Sequence, residues 1–86
     1  MGVSAGLVFF WPVMSAKLLH RRLLGETVRA RRKEAGFSQE KLAEKAGLST
    51  VFISRIERGR ESPTLDSLVK IAKALEVRVR ELVKEF

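Results

Sequence analysis

The chain reads as an all-α domain of about five short helices, and three observations predict it. From Ser15 onward apolar residues recur at spacings of three and four, as in Leu65, Leu68, Ile71, Ala72 and Leu75. That is the period of a helix with one buried face. There is no sustained period-two alternation and no Asn-Gly or Asp-Gly turn, so strands and hairpins lack their signals. Glycines and capping residues also punctuate the chain in turn: Gly36, Ser38, Gly47, Ser49, Gly59, Thr64.

The first helix is expected to start at about Ser15 or Leu23 and to end at Ala35. Leu24, Val28 and the stem of Arg31 or Arg32 make its inner stripe. Gly25 weakens it locally, which leaves its start open, and Gly36 ends it as a left-handed cap. Ser38 is the N-cap of the second helix, with Glu40 in the first turn to complement the dipole. Leu42, Ala43 and Ala46 face inward, and Gly47 closes the helix. Ser49 caps the third, which turns Ile53 and Ile56 inward and stops at Gly59. Ser62-Pro63-Thr64 is a loop leading to the fourth helix, with Thr64 as N-cap and Asp66 in the first turn. A last helix, about Arg78 to Phe86, offers Val79, Leu82, Val83 and Phe86.

Residues 39–58, QEKLAEKAGLSTVFISRIER, have the form of two helices joined by a tight turn. Helices crossing at a steep angle need a small side chain where they touch, which suits Ala43. A turn of three or four residues needs one in the left-handed region, which suits Gly47. Leu42, Leu48, Ile53 and Ile56 join the pair to the other helices. A helix-turn-helix places its second helix in the major groove of DNA. A plain helical bundle with a glycine turn is the other reading of the same pattern.

Eighty-six residues make one small domain with one core. There is no Cys and a single His, His20, so disulfides are excluded and a metal site lacks clustered ligands. His20 reads as a solvated or capping residue. Lys and Arg number 17 against 10 Asp and Glu, a net charge of +7, all of it beyond residue 13. The excess suggests a polyanionic partner, nucleic acid or an acidic membrane surface. Neither a nucleophile–base pair nor paired carboxylates nor a phosphate-cradling glycine loop is present, so an enzyme is not expected.

Residues 1–14, MGVSAGLVFFWPVM, are apolar, uncharged and interrupted by Pro12. A membrane span needs about 20 apolar residues, and a secretory signal needs early basic residues. Three readings stay open: an extension upstream of a natural start at Met14, an arm covering the core, or a membrane or partner contact through Phe9, Phe10 and Trp11. The domain proper is then residues 15–86.

From about Leu24 to Val77 the sequence resembles the Cro and phage-repressor type of helix-turn-helix domain, the XRE family. The resemblance rests on Gly36, Ser38-Gln39, Leu42-Ala43, Gly47, Ile53-Ser54, Glu57, Gly59, Pro63, Leu68, Ile71-Ala72 and Ala74-Leu75 in that order. In length and short final helix the chain is also similar to the controller proteins of restriction-modification systems. The resemblance implies a lambda-repressor-like fold and a recognition helix whose outward residues Thr50, Val51, Ser54 and Arg55 face the bases. Arg55 suits guanine O6 and N7, and Thr50 and Val51 suit the thymine methyl. A phosphate contact or a solvated charge is the other reading of Arg55.

Gln39 matches a glutamine that binds a DNA phosphate while braced against the recognition helix. Phe52 departs from the small or polar residue usual at its position, and lies on the sugar-phosphate backbone or packs on the fourth helix. Arg58 and Arg60 follow the recognition helix and are the foremost phosphate contacts. Arg29, Arg31, Lys41 and Lys45 read mostly as solvated charges. Arg32 and Glu57 match a buried or half-buried ion pair joining the first helix to the third.

The expected function is a sequence-specific transcriptional regulator, a repressor, with double-stranded DNA as partner and the cytoplasm as its place. It needs no cofactor, metal or membrane. Its form is a homodimer on a two-fold symmetric operator, with recognition helices about 34 Å apart. Val79, Leu82, Val83 and Phe86 form the dimer surface, unless they only close the monomer's own core. An antitoxin with a toxin partner, a regulator that meets polymerase, and a protein-interaction adaptor of the same fold are the alternatives.

Overall fold

The computed structural model describes the backbone of residues 2–86 and the side chains of residues 18–86. The readings of residues 1–14, contact through Phe9, Phe10 and Trp11 included, concern side chains outside the described residues. Among the described residues five helices follow one another: α1 (Gly2–Glu34), α2 (Gln39–Ala46), α3 (Thr50–Glu57), α4 (Leu65–Leu75) and α5 (Val79–Val83). Among the described residues there is no strand, and no helix is long and apolar enough to cross a membrane.

Local chemistry sets the helix ends. Ser38 Oγ accepts from the Lys41 N–H and Ser49 Oγ from the Phe52 N–H, both at 3.0 Å, and Thr64 Oγ1 accepts from the Ser67 N–H at 3.2 Å. Each satisfies an amide that has no partner within its own helix. The C-terminal ends of α1 to α4 share one device. The N–H groups of Phe37, Leu48, Arg60 and Val77 reach back five residues to the carbonyls of Arg32, Ala43, Arg55 and Ala72. That six-to-one bond needs a left-handed residue before the donor. Gly36, Gly47 and Gly59 supply it at φ 76°, 68° and 71°, and Glu76 supplies it at φ 57° with a side chain attached. A left-handed non-glycine costs roughly 1–2 kcal/mol.

The core gathers from all five helices. Val28, Leu42, Ile53, Ile56, Ile71 and Leu82 are fully buried, each worth about 1.5–3 kcal/mol relative to exposure. Helix α1 packs on α3 and α5, α2 packs on α3 and α4, and α4 closes on α5. The motif pair thus lies clamped between the first helix and the fourth.

Four features differ from the sequence reading. Helix α1 begins at Gly2 and runs unbroken through Gly25. Gly25 is buried, and a Cβ there would run into the Ile56 carbonyl oxygen and come within 2.9 Å of the Glu57 carbonyl oxygen. Its role is close approach of α1 to the end of α3, which outweighs the local loss of helix propensity. Leu65, expected on the apolar face of α4, is 68% exposed; the apolar stripe runs out at the half-buried Leu68. Helix α5 ends at Val83, three residues before the expected Phe86.

Leu82 is the fourth: of the two readings of the last helix, dimer surface or closure of the monomer's own core, it takes the second here, with no exposed area and a place in the core cluster. Its helix is only one turn long, and the residue that faces α1 and α4 has no face left for a partner. Val79 and Val83 are half-buried against the same core, and Phe86 is exposed with its ring 4.9 Å from that of His20, nearly parallel. His20 is therefore an aromatic partner of the C-terminal residue rather than a cap.

Helix propensity alone favours alanine over glycine at position 25 by about 1 kcal/mol. We expect Gly25→Ala to destabilise the fold by about 2–3 kcal/mol through overpacking, while Glu76→Gly leaves stability unchanged or raises it by about 1 kcal/mol. Urea unfolding of both variants checks the opposite signs.

Candidate nucleic-acid interface

The inner face of α3 is fixed by one carboxylate. Arg32 Nε donates to Glu57 Oε2 at 2.7 Å and Nη2 to Oε1 at 3.0 Å. Gln39 Nε2, on the first residue of α2, donates to the same Oε1 at 3.1 Å. Arg32 Nη1 donates to the Phe37 carbonyl at 2.8 Å. These bonds tie the end of α1, the start of α2 and the end of α3 into one unit. The two charged side chains are 11% and 3% exposed, so the pair is largely withdrawn from water. A bidentate, charge-assisted geometry is what makes that tolerable. The hydrogen bond to Glu57 holds the Arg32 guanidinium above the ordinary arginine range, although burial acts the other way. Among the described residues no buried side-chain polar atom lacks a partner.

The outer face of α3 is open. Ile53 and Ile56 point inward with no exposure, so the helical period turns Thr50, Val51, Ser54 and Arg55 away from the core. Val51 is 67% exposed although apolar, and Thr50 and Ser54 are half-exposed. Arg55 extends into solvent with its Nε 3.1 Å from Glu61 Oε1. Phe52 is half-buried and packs against the core cluster, in keeping with the packing alternative for this residue.

The remaining cations separate by partner. Arg58 Nε donates to the Ser54 carbonyl at 3.3 Å, and Arg60 is exposed beside it in the turn after α3. Arg31 lies 3.2 Å from Glu81 and fastens α5 to α1. Lys41 pairs with Glu44 at 3.2 Å, and Lys45 sits 5.3 Å above the Phe37 ring. Arg29 is exposed. Arg31 and Lys45 are thus structural as much as solvated.

A two-helix unit with a locked inner face, an open outer face and arginines after it matches a family model described as helix-turn-helix over residues 28–82. The chain belongs to that helix-turn-helix family. Of its relatives, the uncharacterized HTH-type transcriptional regulator y4dJ of Sinorhizobium fredii is 40% identical over 63 residues, which span 73% of this chain and 82% of that protein. The fold is similar to the restriction-modification controller protein C.AhdI from Aeromonas hydrophila, at a TM-score of 0.71 and 35% identity, covering 72% of this chain and 94% of that one. The P22 c2 repressor, solved in complex with a synthetic operator, matches at a TM-score of 0.68 and 36% identity, covering 73% and 96%. In this helix-turn-helix chain the lambda-repressor-like architecture expected from the family resemblance is present, all-helical and with five helices among the described residues.

One residue beside the site escaped the sequence reading and another was read for a different role. Glu61 stands six positions beyond Arg55, across a turn, where helical spacing carries no signal. Gly25 reads from sequence as a weak point and acts in the structure as a contact point.

Removing the carboxylate leaves a desolvated guanidinium without its partner. Glu57→Ala is expected to cost about 3 kcal/mol or more. A double-mutant cycle with Arg32→Ala, followed by chemical unfolding, should show strong coupling; additive effects would reject the shared role.

Proposed function

We propose that this chain is a sequence-specific DNA-binding transcriptional regulator that acts as a repressor in the cytoplasm. Residues 15–86 form its DNA-binding unit. The observation that carries this reading is the outer face of α3: Thr50, Val51, Ser54 and Arg55 stand outward on a helix whose other side is fixed by Glu57, Arg32 and Gln39. Such a helix enters the major groove as a rigid body. Arg55 would address guanine, Thr50 and Val51 the thymine methyl, and Ser54 either. Gln39, at the start of α2, and Arg58 and Arg60, after α3, would hold phosphates and set the register without reading sequence. A net charge of +7 supports the encounter with DNA. Bound to a promoter, such a protein represses by occupying the site.

The regulator would bind as a homodimer to a two-fold symmetric operator. A single module of this size buries roughly 600–1,000 Å² on DNA, too little for tight specific binding. With Leu82 in the core, the dimer surface is left to Val79, Val83 and the exposed Phe86. Phe86→Glu spares the core and should shift the sedimentation-equilibrium mass from dimer to monomer; an unchanged mass removes this surface from consideration.

Selection of binding sites from random duplex DNA should return a half-site repeated with two-fold symmetry. Arg55→Ala should lose about 1–3 kcal/mol at one base pair of the half-site, and Arg58→Ala or Arg60→Ala should weaken all sequences alike and shrink the salt slope by about one. Sequence-blind binding that vanishes by about 0.15 M salt would favour a protein-interaction adaptor instead.

A further inference from the structure

Arg55 is not a free side chain. Its Nε lies 3.1 Å from Glu61 Oε1, and the side chains are 53% and 29% exposed. The carboxylate is the more enclosed partner and the guanidinium the more open one. Backbone fixes where Glu61 stands: the Arg60 N–H bonds the Arg55 carbonyl at 2.9 Å, and Gly59 reverses the chain at φ 71°. That turn is seated on α1, because a Cβ at Gly59 would lie 3.2 Å from the Arg22 Cα. The backbone at Glu61 is thereby placed by the scaffold, independently of any DNA.

We propose that Glu61 is a specificity-determining positioning residue, whose carboxylate stands as a counter-ion on the Nε side of Arg55 and leaves the two Nη groups to face a base. The proposal rests on the reading of Arg55 as a base contact. A guanidinium offers two donor edges, one of Nε with an Nη and one of the two Nη groups. Guanine O6 and N7 take one bidentate edge. With Glu61 on the Nε side, the outer edge remains for the base.

The second effect is electrostatic. An unpaired arginine on this face is attracted by every phosphate and strengthens binding to all sequences. A carboxylate at 3.1 Å makes the pair neutral overall and repels a phosphate that approaches it. Glu61 thus lowers sequence-blind affinity while sparing the directional bond to guanine, which widens the gap between right and wrong sites.

The test uses the full chain with Glu61→Gln and Glu61→Asp, and three duplexes titrated by fluorescence anisotropy across a salt series. One duplex carries the selected site, one the same site changed at the base pair to which Arg55→Ala becomes indifferent, and one a random sequence. Glu61→Gln should bind the random duplex more tightly, steepen its log–log salt slope by about 0.9, and lose most of the discrimination at the changed base pair. Glu61→Asp, which keeps the charge, should restore the parental slope. If Glu61→Gln weakens all three duplexes by one factor, Glu61 only shapes the turn and the proposal is overturned. If Arg55→Ala leaves the selected site unaltered, the base-contact reading fails and takes the proposal with it. If Arg55→Ala erases one base preference while Glu61→Gln keeps both discrimination and slope, the proposal fails alone.

Discussion

Everything in this domain that faces outward depends on a carboxylate that faces inward. Glu57 receives both donors of one Arg32 edge and the amide of Gln39, so three helices meet on two oxygen atoms. A buried ion pair adds little net stability against an apolar alternative of the same shape. Its value lies in direction: a bidentate fork tolerates one orientation, where packed methyl groups tolerate several. The angle between α2 and α3, and the pose of α3 on the body, follow from that fork.

Gly25 belongs to the same device. It lies two turns before Arg32 on the same face of α1, and its missing side chain lets that face touch the carbonyls of Ile56 and Glu57. Close backbone contact at one point brings Arg32 within reach of Glu57 at the next. The core beneath, with Val28, Ile53 and Ile56 fully buried, supplies the hydrophobic free energy that offsets withdrawing two charges from water. Position and energy are thus provided by different residues.

The sequence made local chemistry legible and left tertiary choice hidden. Ser38, Ser49 and Thr64 announce helix starts because a cap needs only its own helix, and Gly36, Gly47 and Gly59 announce ends because their backbone angles are set within one turn. Glu76 makes the same turn without glycine, so its helix end carried no glycine signal. Leu65 and Leu82 carry equal apolar character, yet one is exposed and the other buried; the difference lies in which neighbouring helix reaches them. At the candidate site, the inward Ile53 and Ile56 of α3 follow from the helical period, and the outward Thr50, Val51, Ser54 and Arg55 were implied by family resemblance. Glu57 and its partners were suggested by family resemblance, and Glu61 by nothing local, since a turn brought it to Arg55.

The division of α3 into a fixed side and an open side has a consequence for descent and for engineering. Thr50, Val51 and Ser54 make none of the bonds that anchor the helix, and substitutions at such surface positions generally move stability by within about 0.5 kcal/mol. Their identities can drift without threatening the fold, so a lineage carrying this scaffold can change its target by steps that selection for folding never sees. Position 55 is the exception: its guanidinium faces the Glu61 carboxylate, so a change there leaves residue 61 without its counter-ion.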